Sequence, residues 1–258
     1  NLVSHENNDF EQEIAFRKKF VHLCDYIFVH GLYAKKIVIE SYCAPDNKVY
    51  IVPHGSYYKY YPDTIKRSDA RDFLSINNNE FVFLFFGYIR GYKGLEELID
   101  SFIRVNKSHH ETRLIIAGRS FDKNISEYID CKICSNPMIM KFEGYVDDFL
   151  VQYYFRAANI LVLPYRKILT SGAAILSLSF NTPIIAPCMG LIPELIDEKL
   201  GCLFSDYKEM ESIMHKCVES WEKGEFEKRY NHQSFEKKLQ EIDWKTIVDN
   251  EIFKIIFS

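Results

Sequence analysis

The stretch "FVFLFFGYIRGYKGLEELIDSF", Phe81 to Phe102, decides how this chain is read. Six large apolar residues, Phe81 to Phe86, stop at Gly87. A short loop follows with Arg90, Lys93 and two further glycines, Gly91 and Gly94, and then a helical pattern begins. Leu95, Leu98, Ile99, Phe102 and Val105 recur at helical spacing, so the loop joins a buried strand to an amphipathic helix. Glycines let backbone approach a ligand closely, and the two cations offer a forked donor and a point charge. The positive end of the following helix adds to them, so an anion is the natural occupant. The plain alternative is a solvated loop whose cations face water. The spacing is neither G-x-x-x-x-G-K-[ST] nor G-x-G-x-x-G, which excludes a Walker-type triphosphatase loop and a dinucleotide fingerprint.

Outward from this stretch, strand and helix patterns alternate. Runs at Tyr26–His30, Lys48–Pro53, Phe81–Gly87, Arg113–Gly118, Met138–Phe142, Asn159–Pro164 and Pro183–Ala186 read as buried strands. A helix capped by Asp147 is expected to run to Ala157. From Phe81 to about Phe204 the order is largely strand, helix, strand, helix, which predicts a doubly wound α/β sheet. Residues 1 to about 53 carry one helix pattern and two strands, too little for an α/β domain of their own. "YYKYYPDT", Tyr57–Thr64, reads as a hinge or linker. At the far end Trp244, Ile247, Val248, Ile252, Ile255 and Ile256 form an apolar stripe. Asp243, Asp249 and Glu251 beside it disfavour an anionic membrane surface, so the stripe is expected to dock on the protein.

The chain has 258 residues, 47% hydrophobic and 15% aromatic, enough for one large core or for one domain and part of another. Thirty-two basic residues against 36 acidic give a net charge of -4, so no basic field calls for nucleic acid. The apolar runs are too short to span a bilayer, and the polar, acidic start "NLVSHENNDFEQE" is no signal peptide. Seven scattered cysteines predict a reducing compartment rather than a disulfide framework. Cys131 and Cys134 form a C-x-x-C, but no second pair of ligands completes a zinc site, so no metal is expected. The first residue is Asn1 rather than methionine, inside what reads as the end of a strand, and a fragment is the expectation.

Ligands of a doubly wound sheet bind at the carboxyl ends of its strands, and a second loop there has suitable chemistry. In "LTSGAAILSLSFNTPIIAP", Leu169–Pro187, the small residues Thr170, Ser171, Gly172, Ala173 and Ala174 open a helix. Its free N–H groups would make a second anion cradle, and a slim helix that packs tightly on the sheet is compatible with that. The two loops together predict a diphosphate site.

"FGYIRGYKGLEELIDSF", "RLIIAG", "ANILVLPYRKILTSGAAILSLSFNTPIIAP" and "GLIPELI" resemble, in this order and spacing, the C-terminal domain of GT-B retaining glycosyltransferases. The similarity is to the large group that includes bacterial α-mannosyl- and α-glucosyltransferases of polysaccharide and lipid-glycan assembly. "CDYIFVHG" and "VYIVPHGSYY" are similar to the last strands of that group's N-terminal domain and to the crossover between domains.

The resemblance implies a GT-B type, Rossmann-like donor domain over residues 57–232. Residues 1–56 would be part of a second Rossmann-like domain with the crossover, and 233–258 a C-terminal helix docking back toward it. It implies a nucleotide-diphosphate sugar as donor, a glycan or lipid-linked acceptor, and no cofactor. It also implies cytoplasmic location, with contact to the inner face of the membrane through the missing N-terminal domain. Gly87, Arg90, Lys93, Thr170, Ser171 and Gly172 would hold the donor diphosphate. His5 would be the histidine near the reacting sugar, and His54, Gly55, Gly118 and Glu194 would lie in the cleft, although the helix dipole also explains Glu194. Two departures stand out. Members commonly carry E-x7-E in the second loop, where this chain has Ile168 and Leu176, and their commonest arginine position is held by Tyr88. A non-catalytic nucleotide-sugar-binding or scaffolding relative of the same fold is the alternative. An epimerase of similar shape lacks a visible acid/base carboxylate pair.

Overall fold

In the computed structural model, which describes residues 10–256, the chain begins with helix α1 (Phe10–Leu23), strand β1 (Ile27–Val29), α2 (Leu32–Tyr42), β2 (Val49–Ile51) and α3 (Arg67–Phe73). Then follow β3 (Phe81–Phe86), α4 (Leu95–Ser108), β4 (Thr112–Gly118), α5 (Lys123–Ser135), β5 (Ile139–Glu143), α6 (Val151–Ala157), β6 (Ile160–Val162) and α7 (Gly172–Ser179). The chain continues with β7 (Ile184–Pro187), α8 (Ile192–Leu195), β8 (Gly201–Phe204) and α9 (Tyr207–Glu222). It closes with α10 (Phe226–Arg229), α11 (His232–Glu241), α12 (Trp244–Ile247) and α13 (Phe253–Ile256).

Each of the seven runs read as strands overlaps one, with ends that differ by at most two residues. Strand β8 was not foreseen: "GCLF" is short, pairs only with β7 and forms the sheet's edge. The sheet is parallel throughout, in the order β5-β4-β3-β6-β7-β8. Strand β3 therefore has β4 on one side and β6 on the other, and the chain direction of travel reverses between β3 and β6. At such a point the loops leaving the two strands diverge and open a crevice.

Phe81 through Phe85 are fully buried, which requires cover on both faces of β3. The predicted stripe of α4 (Leu95, Leu98, Ile99, Phe102 and Val105) is buried completely and forms one core with the sheet. Burial of each such side chain stabilises the fold by about 1.5–3 kcal/mol. A small separate core joins β1, β2, α1 and α2 through Val29, Val38, Tyr42 and Val49. Strands β1 and β2 pair in parallel, Ile27 opposite Val49.

Two local expectations need correction. Helix α6 starts at Val151, and Asp147 instead caps the preceding turn, accepting the Phe149 N–H at 2.9 Å. The stripe at the end of the chain is not one helix, because a wider π turn, Val248–Ile252, interrupts it. Its anchor is buried all the same: Ile247 is 2% exposed. No helix among the described residues is long and apolar enough to cross a membrane.

Candidate active site

A cavity of about 290 Å³ lies in the crevice between the ends of β3 and β6. Gly87, Tyr88, Tyr92 and Lys93 line it from the first loop, and Tyr165, Lys167, Thr170, Ser171 and Gly172 from the second. The lining contains no Asp or Glu.

Lys93 is the inner cation. Its ammonium lies 5.1 Å from the centre of the Tyr165 ring and 5.9 Å from that of Phe85. Burial pushes its pKa below the usual lysine range, with the neighbouring Arg90 charge acting in the same direction. Among the described residues no carboxylate is paired with it, so positive charge is held here at a cost that an anion would relieve.

On the other side, Ser171 caps α7, its hydroxyl accepting the Ala174 N–H at 3.3 Å. The N–H groups of Gly172 and Ala173 at the same end have no partner within the helix, as at any helix start. Tyr165 is buried beside Ser171, and burial raises its phenol to about 12, so it stays neutral. The phenol of Tyr57 reaches the same turn, 3.4 Å from where a side chain at Gly172 would begin.

The remaining first-loop residues turn elsewhere. Arg90 does not line the cavity; its guanidinium lies over the ring of Phe121, 5.1 Å from the centroid. The start of α4 is also outside the lining. Arg166 closes it off, donating to Gly91 O at 2.6 Å and to both oxygens of Glu97. Gly118 joins the loops after β3 and β4: its φ is +149°, and a Cβ there would meet Gly87 O at 2.0 Å. Beside it a second cavity of about 260 Å³ shares Tyr61, Phe86, Gly87 and Tyr88 with the first and extends past Gly118 to Gly144 and Tyr145. The two form one cleft along the ends of β6, β3, β4 and β5.

A third cavity, about 230 Å³, meets the first at Thr170 and Ser171 and is lined on its far side by His30, His54 and Glu194. His30 Nδ1 lies 3.0 Å from Val52 O and His54 Nδ1 2.8 Å from Gly55 O. A carbonyl only accepts, so each ring carries a proton on Nδ1. Gly55 is required by a close approach: a Cβ would fall 2.2 Å from the Trp244 ring. Glu194 does not point to a ligand, because its two oxygens accept the N–H groups of Leu32 (2.7 Å) and Tyr33 (2.8 Å) at the start of α2. The dipole it serves is that of another helix rather than its own. His5 lies outside the described residues.

The structure thus brings Gly87, Lys93, Thr170, Ser171 and Gly172 to one cavity, Gly118 to the adjoining one, and His54 and Glu194 to the third. Sequence reasoning missed Lys167, Tyr165, Tyr57 and Tyr61. The available signal was position, since "YRK" directly follows the end of a central strand.

The sequence pattern of the family described as Glycosyl transferases group 1 matches residues 80–221, more than half of the chain and all six strands of this sheet. The chain belongs to that family. A GDP-mannose:glycolipid 4-beta-D-mannosyltransferase of Xanthomonas campestris pv. campestris is 28% identical over 131 residues, 49% of this chain and 37% of that protein. The alpha-monoglucosyldiacylglycerol synthase of Acholeplasma laidlawii is 25% identical over 171 residues, 64% of this chain and 42% of the other. The matches thus span less than half of each of these relatives. The solved structure of Anabaena HepE with UDP-glucose superimposes on 96% of this chain and 68% of its own, with a TM-score of 0.78 at 14% identity. Sucrose-phosphate synthase of Thermosynechococcus elongatus superimposes on 95% and 61%, with a TM-score of 0.77 at 19% identity. At these identities the structures speak for the fold, which is GT-B, and the group 1 domain is its α/β parallel sheet with alternating helices.

Proposed function

We propose that this glycosyltransferase moves a sugar from a nucleotide-diphosphate donor to a glycan or lipid-linked acceptor, with retention, in polysaccharide or glycoconjugate assembly. One observation carries the reading: Lys93 and the open first turn of α7 line the same carboxylate-free cavity at the β3/β6 switch point. The diphosphate would sit between them, where negative charge grows as the sugar departs. The nucleoside would occupy the adjoining cavity past Gly118. Lys93 and the α7 N–H groups supply the positive charge, so no resident cofactor enters this reading.

In this reading residues 57–232 hold the donor, residues 1–56 belong to the acceptor side, and 233–258 return toward it. The relatives fit the donor and acceptor classes: one is a GDP-mannose:glycolipid mannosyltransferase, and another is an alpha-monoglucosyldiacylglycerol synthase. Contact with the inner face of the membrane through the acceptor side belongs to the same reading. Retention is proposed because no carboxylate of the cavity lining can act as base or nucleophile, which leaves the departing diphosphate to receive the acceptor proton on its own face. The absence of lining carboxylates also favours a second reading, a relative that binds nucleotide sugars without turning them over.

Calorimetric titration of UDP, GDP and ADP into this chain tests the site. One nucleotide is expected to bind, and the Lys93→Ala variant to lose most of that affinity. No binding, or equal binding by both proteins, would remove the diphosphate from this cavity. With a longer protein that includes the acceptor side, slow donor hydrolysis or transfer separates the enzyme from the binding module. An NMR assignment of the product anomer decides retention, and inversion would overturn it.

A further inference from the structure

A second cluster of reactive side chains sits at the opposite margin of the sheet, where β8 is the edge strand. Cys202, half-buried on β8, neighbours Cys217, buried on α9. The Tyr230 hydroxyl lies 3.2 Å from Cys202 Sγ. Arg229 directs Nη2 toward the same sulfur at 3.7 Å, while its Nε donates to Glu198 O at 3.4 Å and its plane lies over the Tyr230 ring, 5.3 Å away. The charged and titratable groups facing Cys202 are therefore Cys217 and Lys216 from α9, and Arg229 and Tyr230 from the end of α10. No carboxylate is among them.

The arrangement is asymmetric. Beside the Cys217 thiol, the Tyr230 hydroxyl at 3.2 Å and the Arg229 guanidinium at 3.7 Å, Cys202 has its pKa drawn down to about 6. Cys217 is pushed up by its neighbour Cys202 and by burial. One sulfur is set up as a thiolate at neutral pH, and the other waits beside it as a thiol. The other half-buried or exposed cysteines, Cys24, Cys43, Cys131, Cys134 and Cys188, have no comparable surroundings.

We propose that Cys202 is an oxidation site for hydroperoxides, with Cys217 as its resolving thiol. The Cys202 thiolate attacks the distal oxygen of the peroxide: an S–O bond forms, the O–O bond breaks, and two electrons pass from sulfur to oxygen. The leaving hydroxide or alkoxide takes up a proton, and Cys202 becomes a sulfenic acid. The Cys217 sulfur then attacks Cys202 Sγ. An S–S bond forms, the S–O bond breaks, and water departs with the Cys217 proton. The product is a disulfide joining β8 to α9, opened again by an external thiol.

Two measurements on the intact chain test this. The first is the pH profile of iodoacetamide labelling, resolved by peptide mass spectrometry. Labelling of Cys202 is expected to reach half its maximal rate near pH 6, well below the midpoint of an ordinary thiol. The Arg229→Gln variant should move the Cys202 midpoint upward. The second is treatment with hydrogen peroxide at neutral pH. A Cys202–Cys217 linked peptide should form and disappear on dithiothreitol treatment. In Cys217→Ser, dimedone should trap the sulfenic acid at Cys202. A Cys202 midpoint matching that of the exposed cysteines would overturn the proposal. So would peroxide treatment that yields no link to Cys217.

Discussion

The carboxylate of Glu194 accepts the backbone N–H of Tyr33 at 2.8 Å across 161 residues of sequence, and its other oxygen takes the N–H of Leu32. Gly31 precedes α2 and has no side chain to cap it, so the cap is delivered from α8. The bond ties the β1–β2 unit to the six-stranded sheet. Replacing Glu194 by Ala should destabilise the chain by about 1–2 kcal/mol, the usual worth of a helix cap. Glu194→Gln, which keeps one acceptor oxygen, should lose less. Thermal melts measure both. Nucleotide affinity should be unchanged in either variant, and a drop in affinity with an unchanged melt would show that Glu194 serves a ligand instead.

Lys93 and Arg90 are expected to separate. Lys93→Ala should weaken nucleoside-diphosphate binding roughly 10- to 100-fold, the loss of one charge-assisted contact of about 1.5–3 kcal/mol. Arg90→Ala should change it far less, since its guanidinium is stacked on Phe121 outside the cavity lining. Calorimetry on the two single variants distinguishes them. A larger loss for Arg90→Ala would mean that its side chain swings into the site when a ligand arrives.

The pKa of Lys93 gives a pH dependence of definite sign. Burial holds it below the 10.5 of an ordinary lysine. A bound diphosphate favours the ammonium and raises it again, so binding takes up protons and affinity falls as pH rises through the free-state value. The fall should begin at lower pH than an exposed lysine would give, and should vanish in Lys93→Ala. For folding the sign is reversed. The cost of burying the ammonium is present in full below the folded pKa and disappears as pH rises through the unfolded one. Titrations at a series of alkaline pH values, with melts alongside, check both halves.

Gly118→Ala should be among the most damaging single changes near the site. The new Cβ would sit 2.0 Å from backbone oxygen at Gly87, and the φ of +149° is one that side chains rarely adopt. Backbone cannot move aside as a flexible side chain can, so a loss of roughly 3 kcal/mol or more is expected. That corresponds to a melting temperature lower by roughly 6–12 °C. A near-wild-type melt would show that the two loops can part without disturbing the sheet.

Much of the fold could be read from local pattern. The Phe81–Phe86 run and the α4 stripe each report their own burial, and the parallel order follows from alternation. The loops of the site were legible for the same reason, being punctuated by Gly and small residues at strand ends. What escaped is long-range. Arg71 lies in an ordinary charged segment, yet it is 1% exposed and bonds to Asn77 O, Asn78 O, Ala157 O and the Asn159 side chain. Nothing near it in sequence announces that. The partner of Glu194 lies at the other end of the chain, and the turn of Arg90 onto Phe121 depends on a loop some 30 residues away. Lys167 became visible as a site residue only when the switch point fixed which loop ends line the crevice.

The Ser56 N–H donates to Ile242 O at 2.8 Å, and Trp244 covers Gly55. The outgoing and returning chain therefore pass the seam between the β1–β2 unit and the large sheet side by side. A seam held by two neighbouring straps behaves like a door on a pair of pins. Turning about the line through the straps leaves them in place but must part Glu194 from Leu32 and Tyr33, while sliding or twisting must break the Ser56 bond or lift the indole from its glycine. Whatever enters the cavities at Thr170 and Ser171 would meet walls pinned to each other by these straps and by Glu194.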